Sequence, residues 1–336
     1  MPSPCVTFAL LAYNQERFIR EAVDGALAQT YSPLEIILSD DCSPDRTFEI
    51  MQEMAAIYKG PHKIVLNRNS VNLGFISHLR HIAEVANGGL LILSAGDDVS
   101  HHERAKTMFE AWKRTGFKKV SIYSGAVAID EDGQEIKTSY DFTCKSPGHC
   151  SSVEEVLAND NCAVLGATQA VAKELFTEFP KIHDCIYRED NVLPFRALLC
   201  NGIVFVEKPL VRYRHHRNNL VSTLSSGTGM NRARRREALT KDYADKYFTR
   251  KQWVEDILSR DRDKVSQRTL QGLKRLIMIR EYQYRIATSK LFVALLYLAI
   301  LILKSRRLRG GNIFLYKYLG KNLNQLRSSL RGTAMA

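Results

Sequence analysis

No two cysteines in this chain are spaced CxxC. The seven, Cys5, Cys42, Cys144, Cys150, Cys162, Cys185 and Cys200, are odd in number and scattered, a usage that reads as reduced thiols of a cytosolic protein. The opening MPSPCVTFALLAYN has no charged n-region, so its short apolar run is read as a strand and not as a signal peptide. Long hydrophobic runs are scarce as well. Residues 291–303 give thirteen consecutive apolar residues, short of the roughly 17 to 25 that cross a bilayer, and a set of membrane spans is excluded. Glycine is missing from ALLAYNQERF, after the first apolar run, where a glycine-rich phosphate loop would need it.

Charge of one sign is unevenly spread. Residues 1–207 hold 19 Lys and Arg against 28 Asp and Glu, a net of −9, while residues 208–336 hold 29 against 8, a net of +21. With 45% hydrophobic and 25% charged residues over 336 positions, the chain is ordinary globular material. The division therefore describes an acidic body, 1–222, with a basic helical region, 223–336, attached to it.

The body alternates strand-length and helix-length apolar patterns. Residues 6–11 read as a strand, and 15–29 as a helix with Phe18, Ala22, Val23, Ala26 and Leu27 at helical spacing. Strands at 34–38, 63–66 and 90–93 alternate with helices from Asp45 to 57 and over 75–86, which predicts a parallel sheet covered by helices. After Asp98 the pattern loosens. A helix at 102–115, a strand at 120–129 and a turn at 130–133 point to a sheet that becomes mixed, and 139–165, with a short helix at 153–158, reads as a mobile loop over the site. Helices at 173–179 and 191–200 and a strand at 203–206 close the body.

In an open α/β sheet ligands gather at the carboxyl ends of the strands, and three acidic signals fall there. The second strand ends in LSDDCSPDRT, where Asp40 or Asp41 could accept a hydrogen bond from a base or ribose, although helix capping accounts for Asp45 and would suffice for Asp41. The fourth ends in LLILSAGDDVS. Its adjacent Asp97 and Asp98 repel each other unless a positive charge lies nearby, and a hard divalent cation with phosphate oxygens is the usual partner. Later, YREDNVLPFR sets Glu189 and Asp190 before a helix, as a cap or as a general base, and VRYRHHRNNLVS sets His215 and His216 among arginines, as a surface cluster or as metal and phosphate contacts.

The ordered series AYNQERFIREAVDGALAQTY, LEIILSDDCSPDRT, NLGF, AGDD, RED and YRHH resembles glycosyltransferase family 2 over about residues 5–222. The resemblance implies a GT-A fold, a Rossmann-like mixed α/β sheet flanked by helices, and an inverting transfer of sugar from a nucleotide-diphosphate donor. It further implies that Ala12, Tyr13 and Asn14 line the nucleotide pocket, that Asp40 meets the uracil or thymine edge of a UDP- or dTDP-sugar, and that Asn72 and Gly74 lie near the ribose or diphosphate. Asp97 and Asp98 match the end of the family's DxD signature, with Asp98 binding Mg or Mn. Asp190 matches the catalytic base, and His216 a residue near the metal and diphosphate. At Ala95 the chain departs from members that place the first Asp of the signature there. The QxxRW motif of the processive members is absent, which implies one sugar per encounter.

Basic residues flank 291–303 on both sides, Arg285 and Lys290 before it and Lys304, Arg306, Arg307 and Arg309 after it. That suits a helix lying in an anionic membrane interface better than a core or dimer helix. The expectation is a peripheral enzyme on the inner face of the cytoplasmic membrane, acting on a lipid-linked or other glycan acceptor in cell-surface polysaccharide synthesis. A homo-oligomer is compatible with it. Nucleic acid is not an expected partner, because aromatic residues are sparse around the basic run 232–236. Two competing readings are a nucleotidyltransferase, disfavoured by the missing glycine loop, and a catalytically impaired membrane scaffold, disfavoured by the joint presence of Asp40, Asp97, Asp98 and Asp190.

Overall fold

The computed structural model describes residues 6–137, 150–162, 164–216, 232–260 and 265–288, with the backbone alone over 232–236. Strand β1 (Val6–Ala12) is VTFALLA, buried along its whole length. A strand without polar alternation must be covered on both faces, and β1 sits accordingly inside the sheet, parallel to β2 (Glu35–Asp40) and β4 (Leu90–Ala95), with β3 (Lys63–Arg68) at the edge beyond β2. Helices α1 (Ile19–Leu27), α2 (Thr47–Ile57) and α3 (Phe75–Val85) make the crossovers. In α1 the buried positions Ile19, Ala22, Val23 and Ala26 form one stripe.

Past β4 the sheet becomes mixed, as the loosened pattern predicts. Its order runs β3-β2-β1-β4-β7-β6-β8-β5, where β5 is Val99–Ser100, β6 Ser121–Ile129, β7 Ala170–Ala172 and β8 Ile203–Arg214. Strand β7 runs antiparallel to β4 and β6, and β5 antiparallel to β8. The sequence pattern gives β8 only as 203–206. It continues to Arg214 through a register shift opposite Ser124–Ala126, with Glu207 and Lys208 falling between Val206, paired to Ser124, and Pro209, paired to Gly125. A proline is tolerated at such a bulge, and the arginines that follow hide the strand from an apolar count.

One face of the sheet packs Phe8, Leu10, Ile36, Leu38 and Ile92 against α1, α2 and α4 (Arg104–Arg114). The other packs Ala9, Leu11, Ile37 and Leu93 against α3, α6 (Glu174–Thr177) and α7 (Leu193–Cys200). Each fully buried large aliphatic or aromatic side chain is worth about 1.5–3 kcal/mol. Helix α5 (Val153–Asn159) packs on α7, and at its start Ser152 Oγ accepts the Glu155 N–H at 3.2 Å. It falls where a short helix is expected, while residues 139–149 of the expected loop lie outside the described residues.

The chain divides into two compact units, Met1–Ile277 and Met278–Ala336. The change of charge near residue 222 is thus not a change of packing. Helix α8 (Arg232–Leu258) belongs to the first unit, where Trp253 and Ile257 join Phe195, Val156, Cys162 and Leu273, the last from α9 (Gln267–Thr288), in a third cluster. Of the second unit, the described part is residues 278–288, the end of α9. Among the described residues no helix is long and apolar enough to cross a membrane, and the run 291–303 lies outside them.

Arg196 of α7 and Asp256 of α8 are both fully buried and paired through Nε at 2.8 Å and Nη2 at 3.0 Å, with further Arg196 donors on the carbonyls of Leu175 and Pro180. Removing one partner of such a pair strands a charge in the core. Asp256→Ala is expected to destabilise the chain by about 3–5 kcal/mol in urea melts, and a loss of under about 1 kcal/mol, the size typical of an exposed pair, would show that α8 is not integral to the fold.

Candidate active site

The carboxyl ends of β1, β2 and β4 come together as one floor. Ala12 lies between the other two: its carbonyl accepts the Asp41 N–H at 2.9 Å, and the Leu11 carbonyl accepts the Gly96 N–H at 2.9 Å. A Cβ on Gly96 would stand 2.7 Å from that of Ala12, so the approach requires glycine. Tyr13 is 47% exposed above this floor. Asn14 takes a left-handed turn (φ 57°) and its N–H donates to Ser43 Oγ at 2.8 Å. Two further bonds, Gln15 N–H to Thr47 Oγ1 at 2.8 Å and Glu16 N–H to Asp45 Oδ2 at 3.0 Å, join the turn after β1 to the turn after β2.

Asp40 is fully buried, and protein donors meet both its oxygens. Ser43 N–H donates to Oδ2 at 2.9 Å, the Ser43 hydroxyl donates to Oδ1, and Arg68 Nε is 3.5 Å from Oδ2. Asp41 orders the loop that carries NLGF: Oδ1 accepts Asn69 Nδ2 at 2.7 Å and the Leu73 N–H at 2.9 Å, and Oδ2 accepts the Gly74 N–H at 2.9 Å. Asn72 Oδ1 shares that Gly74 N–H at 2.9 Å, and Gly74 itself has φ 76°. Asp41 is therefore a loop anchor, not the helix cap that its spacing suggests, and Asp45 does serve the start of α2, accepting the Thr47 N–H at 3.1 Å. Behind the floor His78 meets Ser39 Oγ; burial, with His81 adding, lowers its pKa to about 4 against the pull of Asp41, so the ring is neutral.

Asp97 and Asp98 occupy the turn between β4 and β5. The Asp97 carboxylate faces His216, Oδ2 to Nε2 at 2.9 Å, and the His216 ring packs on Phe18 with centroids 4.9 Å apart. Asp98 is 2% exposed; its Oδ1 accepts the Arg214 N–H at 2.8 Å, and its equally shielded Oδ2 has no hydrogen-bond partner among the described residues. Burial, and then the neighbouring Asp97 charge, push the Asp98 carboxyl well above its ordinary value, while the Arg214 backbone bond and the charges of Arg104 and Arg214 pull it back. A buried, unpartnered oxygen beside a second carboxylate and an imidazole is a donor set that suits a hard divalent cation.

Asp190 lies on a short 3-10 turn, Glu189–Asn191, just before α7. Asn191 Nδ2 donates to its Oδ1 at 3.2 Å, and the turn Gly166–Thr168 presses against it so closely that a Cβ on Gly166 would stand 2.6 Å from Glu189 Oε1 and 3.3 Å from Asp190 Cβ. Burial pushes the Asp190 carboxyl up to about 7; Arg188 opposes this, Asp245 adds to it, and the Asn191 bond opposes it. A carboxylate in that range can accept a proton near neutral pH.

The Asp98 and Asp190 neighbourhoods meet through Arg104, which is fully buried. Its guanidinium donates to the Leu93 carbonyl at 2.7 Å, to Ser100 Oγ at 2.9 Å and to the Ala167 carbonyl at 2.9 Å, on the turn that abuts Asp190. Burial brings Arg104 down to about 9 against the pull of Asp98. Spacing alone gives no sign of Arg104, Gly166 or Asp245. Arg104 sits in a helix as one more cation, and only its burial sets it apart. Among the described residues, the three metal-type donors whose ligating atoms all fall within 4.8 Å are His101, His102 and Glu103, but the Glu103 carboxylate is already paired with Lys208 at 2.5 Å.

Comparison with known proteins adds what this chain is similar to. Residues 7–145 match the family model described as glycosyl transferase family 2. The chain is 30% identical over 130 residues to the putative glycosyltransferase EpsE of Bacillus subtilis, covering 39% of this chain and 46% of that one. It is 26% identical over 226 residues to an uncharacterized glycosyltransferase of Rickettsia prowazekii, covering 66% and 67%, and 40% identical over 89 residues to an uncharacterized protein of Mycobacterium tuberculosis, where it spans only 25% of the relative's length. Among solved structures, S. aureus TarS 1-349 in complex with UDP superposes with a TM-score of 0.50 at 15% identity, over 84% of this chain and 81% of that one. The mixed sheet and flanking helices are those of the GT-A fold, and over residues 7–145 the chain is similar to glycosyl transferase family 2.

Proposed function

We propose that the protein transfers a single sugar, with inversion, from a nucleoside-diphosphate donor to a hydroxyl of a glycan acceptor, with Asp190 as general base. The observation that carries this reading is the Asp190 carboxyl, raised to about 7 against the turn 166–168, which Arg104 links to the Asp97–Asp98 end of β4. The donor nucleotide lies over Ala12, Tyr13 and Asn14, against the loop of Asn72 and Gly74. Asp40 acts from beneath, by holding Ser43 and Arg68, more readily than by touching the base itself. UDP- or dTDP-sugars are the donor class, and a relative's fold solved with UDP is in keeping with it.

Asp98 Oδ2, Asp97 and His216 would hold Mg or Mn, which when bound neutralises charge on the leaving diphosphate. The residues of the chain do the rest. Asp190 takes the proton of the attacking hydroxyl as the new C–O bond forms at the anomeric carbon and the bond to the diphosphate breaks on the opposite face. One base and one in-line displacement give inversion. The turn 166–168 keeps the carboxylate fixed on one side, and Asn191 orients its Oδ1. The basic C-terminal residues favour a peripheral place on the inner face of the cytoplasmic membrane and a lipid-linked acceptor in cell-surface polysaccharide synthesis.

The test is release of nucleoside diphosphate from a panel of UDP-, dTDP- and GDP-sugars with Mn and membrane extract as acceptor source. Asp190→Asn is expected to cut kcat by about 10²–10⁴-fold while leaving donor binding intact. Retention of wild-type turnover by that variant would sink the assignment of the base.

Asp98→Asn is expected to abolish Mn binding in titration calorimetry, with turnover lost in parallel and also lost on chelation of the wild-type protein. Calorimetry of Asp98→Asn indistinguishable from wild type would remove Asp98 from the metal set. The pH profile gives a third check. A base must be deprotonated, so kcat should rise with pH through about 7 and level off above it. A flat profile from about pH 5 to 9 would show that no such carboxylate titrates in the rate-limiting step.

A further inference from the structure

Helix α8 grips the segment that carries Asp190 at points on either side of it. Gln252 Oε1 accepts the His183 N–H at 3.0 Å. Asp245 is 1% exposed; its Oδ1 accepts the N–H groups of Tyr187 at 2.9 Å and Arg188 at 3.2 Å, and its Oδ2 accepts Arg188 Nε at 2.8 Å. Asp242, one turn earlier, accepts Arg188 Nη2 at 2.7 Å. On the far side of Asp190, Trp253 Nε1 donates to the Asn191 carbonyl at 2.9 Å while its ring stacks on Phe195, and Asp256 holds Arg196. These residues recur at helical spacing along one face of α8, and they fix backbone groups two to three residues before Asp190 and one after.

We propose that α8 is the positioning helix of the general base and that Asp245 is its positioning residue, fixing the Asp190 backbone through residues 187 and 188 and absorbing the charge of Arg188. This rests on the reading of Asp190 as the base. The ionisable groups that face Asp190 are Arg188, Glu189, Tyr187 and Asp245, with the Cys162 thiol from the segment before the 166–168 turn. Arg188 stays charged because Asp245 and Asp242 outweigh the cost of burying it. Left alone, that guanidinium would hold Asp190 ionised but weakly basic. Asp245 adds a negative charge and takes up the nearest positive one, so both effects strengthen Asp190 as a proton acceptor.

The experiment uses the full chain with whichever donor turns over, and compares wild type, Asp245→Asn, Asp242→Asn and Asp190→Asn by kcat against pH and by calorimetric affinity for the released nucleoside diphosphate. Asp245→Asn keeps the size of the side chain and removes its charge. Its acid limb is expected to move to lower pH, and its plateau to fall by about ten- to a hundredfold, with nucleotide affinity unchanged. Asp242→Asn, at the more exposed site, is expected to shift the limb the same way by less. A profile for Asp245→Asn that overlies wild type, or a loss of nucleotide affinity in step with kcat, would overturn the proposal. If Asp245→Asn does not fold, Asp242→Asn decides by the same criteria. An active Asp190→Asn would instead refute the base itself, a result distinct from both.

Discussion

Arg214 is where three other stretches of the chain are held at once. It is fully buried at the end of β8. Its N–H binds Asp98 Oδ1, its Nε binds the Asp97 carbonyl at 2.9 Å, its Nη1 binds the carbonyls of Asp130 and Glu131, and its Nη2 pairs with Glu21 of α1 at 2.9 Å. A guanidinium has five donors in a rigid plane, and here they tie the carboxylate turn after β4, the turn after β6 and the first helix into one block. The two adjacent aspartates would otherwise repel and splay. The register of β5 against β8, Val99 opposite Arg212 and Ser100 opposite Val211, follows from the same anchor, and so does the placing of His216 two residues on, beside Asp97.

That arrangement explains how much of the fold could be read in advance. The first half of the sheet is written as apolar runs between glycine and proline signals, because β1, β2 and β4 are covered on both faces, and the element order follows. The second half is not. β8 carries Glu207, Lys208, Arg212 and Arg214 among its twelve residues, so hydrophobic counting stops at Val206. The arginine that matters most to the site looks like surface charge. Likewise the basic composition after residue 208 reads as an appendage, although Arg250, paired with Asp160 through Nε at 2.8 Å, lies buried in α8 with Asp245, Trp253 and Asp256. Charge composition reports what a segment carries, not how much of it is turned inward.

The candidate site was legible where residue type and strand position coincide. His216 is brought to Asp97, next to Asp98, and Asp190 is placed against a tight turn. The partners that tune them were not legible, since Arg104, Gly166 and Asp245 are separated from the residues they serve by 6, 24 and 55 positions. No local pattern records such a contact. Asp40 and Asp41 show the reverse case. Adjacent carboxylates at a strand end invite a ligand, yet each is first of all a fastener, one for the turn at Ser43 and the other for the loop at Leu73 and Gly74. A loop without regular structure needs acceptors for its buried N–H groups.

On the proposed function the same burial serves two different ends in this molecule, and the nearby arginines separate them. Asp98 and Asp190 are both raised chiefly by loss of solvent. Around Asp98 stand Arg104, held by carbonyls and the Ser100 hydroxyl, and Arg214, held by carbonyls and the Glu21 carboxylate, and beside it stands a second carboxylate. That combination leaves Asp98 Oδ2 buried and unpartnered next to a second carboxylate, which on the proposed reading a divalent cation satisfies. Around Asp190 the available cation is Arg188, and Asp245 and Asp242 have already claimed it. With its countercharge diverted, Asp190 is left to take a proton instead. On the proposed reading, ligand and base thus differ less in their own chemistry than in what the neighbouring guanidinium groups are bound to, and for the base the deciding groups lie on a helix some fifty residues further along the chain.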